Sequence, residues 1–405
     1  MVWKLGIRRL LTSLLFITLL FIMCLESISD IVLIQKCLKH LDEMLMIILT
    51  AYVVINFRTI TWKKTKVIGL WVILLSFGLI SSLIYRYQPI IPVLIDAFLL
   101  TDRFLIGYLS AFIFCRKREI KVSDEIMPLA KTATLALFLL AIHDVILPPF
   151  FPTADYRYFM HGLQLIFPHA TYLAAAAITL LIFFGYRNVG GSTIIYMLMT
   201  SFLAVSTVRS KAIGFVAIYW LVYIAVFIMK AKLKHFYILL PVGGAAALLL
   251  GWRNIVDNFY NTSVYSPRSI MFRDGFQLML GHFPLGTGFG TYGSSIAINY
   301  YSPLYEALGY QNNMGMSSDY SAFLTDCFWP TVFSEFGLFG TACFICIIVY
   351  LFNISTNKIK YNRNAGFAML MTLAYLLVTS LAESSFFNPV AFLLMMLFAV
   401  YELER

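Results

Sequence analysis

Two cations, Arg209 and Lys211, fall within three residues at a tight connection between two apolar runs. On the external side of a membrane, where lysine and arginine are depleted, such a pair reads in one of two ways. It is either an anion site oriented by two helix ends or a pair of interfacial side chains reaching for headgroups. A third cation has a more specific setting. Ser266-Pro267-Arg268 is a helix start, with Ser as N-cap and Pro in the first turn. The helical run ends at Gly281 and Pro284. Arg268 therefore stands at the end where free backbone N–H groups already favour an anion, and guanidinium plus amides suit a pyrophosphate. Arg273 is five residues further, about 140° around the helix, and its default explanation is pairing with an acid.

An acid accompanies these cations. Asp326 comes four residues before Pro330, at the mouth of the next apolar run. Acids at that depth are costly and tend to be functional, so Asp326 is a candidate general base, with a helix cap as the alternative. Asp319 and His282 are the next candidates. Glu335 lies one to two turns inside the run, where pairing with an arginine is expected. Asp96 and Arg103, seven apart on one helix face, read as a structural ion pair, or else as the lining of a polar cavity. Five of the six histidines, at 40, 143, 161, 169 and 282, fall on the external side without metal-ligand spacing, so no metal is expected. Cys343-x-x-Cys346 sits in an apolar run and reads as two small residues on one helix face.

The elements that must position these residues are membrane helices. The chain is 60% apolar and 12% charged, against about 45–50% and about 25% in soluble domains. That excludes a soluble enzyme, a disordered protein and a nucleic-acid binder. Apolar runs at 9–27, 42–57, 67–85, 91–114, 126–147, 163–185, 191–208, 212–229, 236–252, 330–352, 365–382 and 388–403 predict about twelve spans. The basic N-terminus followed by an apolar stretch, with no small-residue cleavage site, reads as an uncleaved first span. With both termini in the cytoplasm, 19 of the 30 Lys and Arg residues fall inside and nine outside. The domains are then 1–252 with nine helices, an external catalytic loop at 253–329, and 330–405 with three helices.

That loop holds 16 aromatic residues and eight glycines in 77 positions. Long loops are usually functional, and tyrosines such as Tyr292 suit sugar contacts, although an aromatic belt at the membrane interface is the plain alternative. Gly286-x-Gly288-x-Gly290 lacks the βαβ setting of a dinucleotide fingerprint and reads instead as backbone folding tightly against the membrane helices.

About twelve spans, a long loop before the tenth, Arg209 after the seventh, and Arg268…Pro284-Leu-Gly286-x-Gly288-x-Gly290 ahead of Glu335-x-Gly337 resemble the O-antigen ligase and polymerase superfamily, with Wzy-type polymerases of O-antigen or capsule repeat units most similar. The resemblance is strongest over about 200–350 and only topological before that. It implies a GT-C-like all-α membrane glycosyltransferase of the bacterial inner membrane, part of lipopolysaccharide or capsule biosynthesis. Donor and acceptor would be glycans on undecaprenyl pyrophosphate, with no cofactor and a chain-length regulator as a protein partner. Arg209 and Arg268 match the donor-binding arginines by position. Lys211, Arg273, His282, Tyr292 and Asp319 are further candidate substrate contacts. Related ligases carry a His-Asn pair where this chain has Asp326-Cys327, which leaves Asp326 as the base. A ligase, and a flippase of lipid-linked sugars, are the alternatives.

Overall fold

A computed structural model describes residues 2–25, 41–60, 62–116, 121–147, 149–157, 160–187, 191–229 and 266–404. The expected ninth run, 236–252, and the first part of the loop, 253–265, lie outside the described residues. So do Lys36, Lys39, Lys117, Arg118, Lys230, Lys232, Lys234, Arg253, Asp257 and Arg405.

The described chain is mostly helical. Four helical stretches, Lys66–Tyr85, Val122–Ile146, Ser210–Ile228 and Phe328–Tyr361, are long and apolar enough to cross a membrane, and shorter apolar helices accompany them. This is the make-up of a helical membrane protein, since helices satisfy every backbone polar group internally in lipid. The other predicted runs are also helical where described, except that the sixth becomes helical only at Ala170. The first is interrupted at Phe21, between Val2–Leu20 and Ile22–Leu25, and the fourth is Ile90–Thr101 and Gly107–Arg116 joined by a π-turn at Asp102–Ile106.

Helix Ala170–Tyr186 forms the centre. It is buried on nearly every face, as a helix apolar all round must be. It packs against Gly191–Ser206 and Arg363–Ser380. Its run of four alanines, 174–177, keeps side chains small where helices approach closely.

The polar residues sort to two ends. At one, Glu404 accepts from the Ser123 amide (3.0 Å) and the Tyr186 hydroxyl (2.8 Å), and Lys358 donates to the Glu402 carbonyl (2.6 Å). These residues all belong to segments expected on the cytoplasmic side. The other end carries the described loop and a two-stranded antiparallel hairpin, Thr153–Arg157 with Met160–Leu163, where only the start of the sixth run was expected.

The glycine motif explains how the loop is seated. Gly337, at φ 60° and ψ −163°, breaks helix Phe328–Tyr361 and frees carbonyls that the loop amides take up. Thr287 donates to the Ser334 carbonyl at 2.7 Å and Gly288 to that of Glu335 at 3.1 Å. A Cβ on Gly286 would lie 2.4 Å from the Gly337 nitrogen, and one on Gly288 would lie 2.4 Å from Ser82 Oγ. The loop thus folds backbone against backbone onto two helices, as the tight-folding reading of these glycines anticipates.

Candidate active site

Three helix starts and one loop bring the charged residues together. Helix Pro267–Gly281 begins as its sequence dictates, with the Ser266 side chain accepting from the Ser269 amide (3.4 Å) and Pro267 in the first turn. Arg268 projects from that first turn and donates to Asp326 Oδ2 at 3.1 Å, with both side chains about one-third exposed. Arg209 is the N-cap residue of helix Ser210–Tyr223, after Val208 in the left-handed region at φ 55°, and its guanidinium lies 3.2 Å from His169 Nε2. Lys211, in the first turn of the same helix, pairs with Glu383. The Lys211 charge also interacts with those of Arg268, Arg209, Asp326 and Arg157. Four residues singled out by sequence, Arg209, Lys211, Arg268 and Asp326, therefore form one cluster.

Beside this cluster is a cavity of about 500 Å³ whose wall includes Asp96, Arg103, His169, Tyr172, Asp326 and Glu383. The first residues of helix Ala170–Tyr186 and of helix Pro389–Leu403 line it too. Helix N-termini carry partial positive charge, which offsets part of the negative charge that Asp96, Asp326 and Glu383 bring to the wall. Burial holds the Asp326 carboxyl above its ordinary value, against the pull of Arg268 and Lys211 toward the ionised form. Asp326 does not cap the helix that follows: the N-cap position is Cys327, with no side-chain cap bond. The arrangement can hold a diphosphate on cations and present a partly desolvated carboxylate to a hydroxyl in the same cavity.

Other expected site residues lie elsewhere. Arg273 donates to Asp274 at 2.7 Å and is mostly exposed; the rotation around the helix carries it away from Arg268, and its acid partner is the neighbour in sequence. Tyr292 is fully buried and cannot touch substrate. Its hydroxyl donates to the Met271 carbonyl (3.1 Å) and lies 2.6 Å from that of Tyr310, which donates to Asp274 (3.0 Å). With Tyr305, Met316 and Leu324 these rings make a small core for the loop itself. The loop tyrosines are thus partly spent on folding the loop. His282 sits among Tyr85 and Tyr87, 2.8 Å from the Tyr87 hydroxyl, outside the cavity wall. Asp319 is exposed and likewise off that wall.

The expected pair of Asp96 with Arg103 does not form. Both side chains line the cavity, as the alternative reading has it, but each takes another partner. Arg103 pairs with Asp42 at 2.7 Å and also donates to the Phe387 carbonyl. Asp96 instead accepts the Gly290 amide at 2.8 Å. Glu335 has no arginine partner among the described residues; its Oε1 accepts the Thr291 and Tyr292 amides at 2.8 and 2.9 Å.

Neither a family model nor a curated protein matches this sequence.

Sequence reasoning missed His169, Glu383 and Asp42 as partners. Glu383 carries the one available signal, an acid at the junction of two apolar runs. His169 and Asp42 are ordinary until the fold places them. Among the described residues, no group of three or more His, Cys, Asp and Glu forms a metal site.

Proposed function

We propose that this chain is a glycosyltransferase of the bacterial inner membrane. Its twelve helices are GT-C-like, with the 253–329 loop external and both termini cytoplasmic. It polymerises undecaprenyl-pyrophosphate-linked repeat units into O-antigen or capsular polysaccharide. The observation that carries this reading is the clustering of Arg209, Lys211 and Arg268 around Asp326, the member of the cluster that itself lines the adjoining cavity.

The reaction forms a bond between the acceptor hydroxyl oxygen and the anomeric carbon of the donor. It breaks the bond from that carbon to the pyrophosphate. Arg209 and Arg268 stabilise the charge gathering on the leaving pyrophosphate, where a guanidinium offers two parallel donors. Asp326 takes the proton of the acceptor hydroxyl. Direct displacement inverts the anomeric centre. Tyr172, half-buried in the cavity wall, offers a ring for a sugar face.

The test is mass spectrometry of lipid-linked glycans in a deletion strain carrying either the wild-type chain or Arg209→Ala, Arg268→Ala or Asp326→Asn at equal membrane abundance. A polymerase lacking activity leaves single repeats on carrier and final acceptor. Long chains stranded on the carrier identify a ligase instead, and repeats confined to the cytoplasmic leaflet identify a flippase. Normal polymer from all three variants overturns the proposed site.

A further inference from the structure

Asp96 and Glu335 are 239 positions apart and meet at the cavity wall, which Asp96 lines. They are 1% and 0% exposed. Asp96 Oδ2 accepts the Gly290 amide, and its carboxyl lies beside Ser294 and the Glu335 carboxyl. Glu335 spends Oε1 on two loop amides. Its Oε2 is buried and receives no N–H or hydroxyl donor; the group it faces is the Asp96 carboxyl. Ionised carboxyls are acceptors only, and two of them in contact within a low-dielectric interior repel strongly. Two such carboxyls, held on the neighbouring 290, 291 and 292 amides of one turn, need a proton between them.

The groups around the pair supply no substitute charge. The Tyr305 hydroxyl, which also faces the pair, accepts from the Gly293 amide at 2.7 Å. Arg103, further along the same helical run, is paired with Asp42. Among the described residues no lysine or arginine forms an ion pair with either carboxyl.

We propose that Asp96 and Glu335 form a proton-binding site, in which one proton held between the two carboxyls fastens the 290–294 turn to helices Ile90–Thr101 and Phe328–Tyr361 and so builds one wall of the cavity. Gly293 and Ser294 of that turn line the cavity. Without the proton, two adjacent buried charges push apart the two side chains that hold the Gly290, Thr291 and Tyr292 amides. This inference stands whether or not the cavity transfers sugars.

Amide substitutions test it. Glu335→Gln keeps a carbonyl for the two loop amides and turns an NH₂ donor toward Asp96, replacing the proton. Asp96→Asn does the same from the other side. Each single variant, purified in detergent, is expected to keep the wild-type melting temperature. The double variant sets NH₂ against NH₂ and is expected to melt several degrees lower than either single. Infrared absorption of the wild-type protein should show the carbonyl stretch of a protonated carboxylic acid, lost in each single variant. A metal-ion site makes the opposite prediction: both singles melt lower, and EDTA lowers the wild-type melting temperature. That pattern overturns the proposal. So does absence of the protonated-carboxyl band from the wild type, which holds even where a variant fails to accumulate.

Discussion

At the scale of the residue, Asp326 and Lys211 act on one another through space. Asp326→Asn keeps the shape of the side chain and removes its basicity, so transfer should slow by roughly 10²–10⁴-fold while lipid-linked donor still binds; a radiolabelled-donor assay on purified protein measures both. Because Asp326 must be ionised to accept a proton, activity falls as pH drops through its value, which burial raises above the ordinary carboxylate range. Lys211 is one of the cations that favour the ionised form. Lys211→Gln removes that help and should move the acid limb of the pH–rate profile to higher pH. Replacement of Arg268 by Lys should restore little, since a point charge cannot reproduce a two-pronged contact. A different energetics governs Arg103. It and Asp42 are 16% and 10% exposed, so Asp42→Ala leaves a cation stranded and should cost about 3–5 kcal/mol, read as a lower midpoint in thermal unfolding in detergent.

At the scale of the element, the glycine loop and the broken helix depend on one another. Gly286 sits at φ 80°, and a methyl there would also run into backbone atoms of residues 334, 335 and 337. Backbone cannot step aside as a side chain can. Gly286→Ala should therefore prevent accumulation of folded protein. Gly281, at the end of helix Pro267–Gly281, has nothing within 4 Å of its added Cβ, and Gly281→Ala should be tolerated. Fluorescence-detected size-exclusion of the two fusion proteins gives the comparison directly. The same geometry explains how Thr287 and Gly288 reach carbonyls inside a helix: the kink at Gly337 leaves those carbonyls without their helical donors.

At the scale of the whole molecule, the proposed orientation assigns each of the two polar ends to one aqueous compartment. Met314, in the loop, is 73% exposed, and Tyr361, beside Lys358 and Lys360, is 89% exposed. In a background lacking the six native cysteines, Met314→Cys should react with an impermeant maleimide in intact spheroplasts. Tyr361→Cys should react only after permeabilisation. The reverse pattern would put the Arg268–Asp326 cluster in the cytoplasm and sink the proposed reaction.

Local features were legible in the sequence because they depend on neighbours along the chain. The helical runs follow from apolar length, since a segment in lipid has to satisfy its own backbone. The start of helix Pro267–Gly281 follows from Ser266 and Pro267, and its end follows from Gly281. Arg209, Lys211, Arg268 and Asp326 stood out because charge at a membrane boundary is costly wherever the rest of the chain goes. Pairing was not legible in the same way. Periodicity put Asp96 and Arg103 on one face, and both do line the cavity, but spacing along one helix cannot announce that Asp42 and the Gly290 amide are their partners. The loop tyrosines showed their number and not their burial; Tyr292 and Tyr310 became a core only when Met271 and Asp274 came beneath them. Glu335 met Asp96 across 239 positions, a juxtaposition decided by the 290–292 turn whose amides both carboxyls accept. The sequence by itself determined where charge would be costly, because that cost is set by the segment and its solvent. Tertiary structure decided which groups share that cost, because partners are chosen by distance in space.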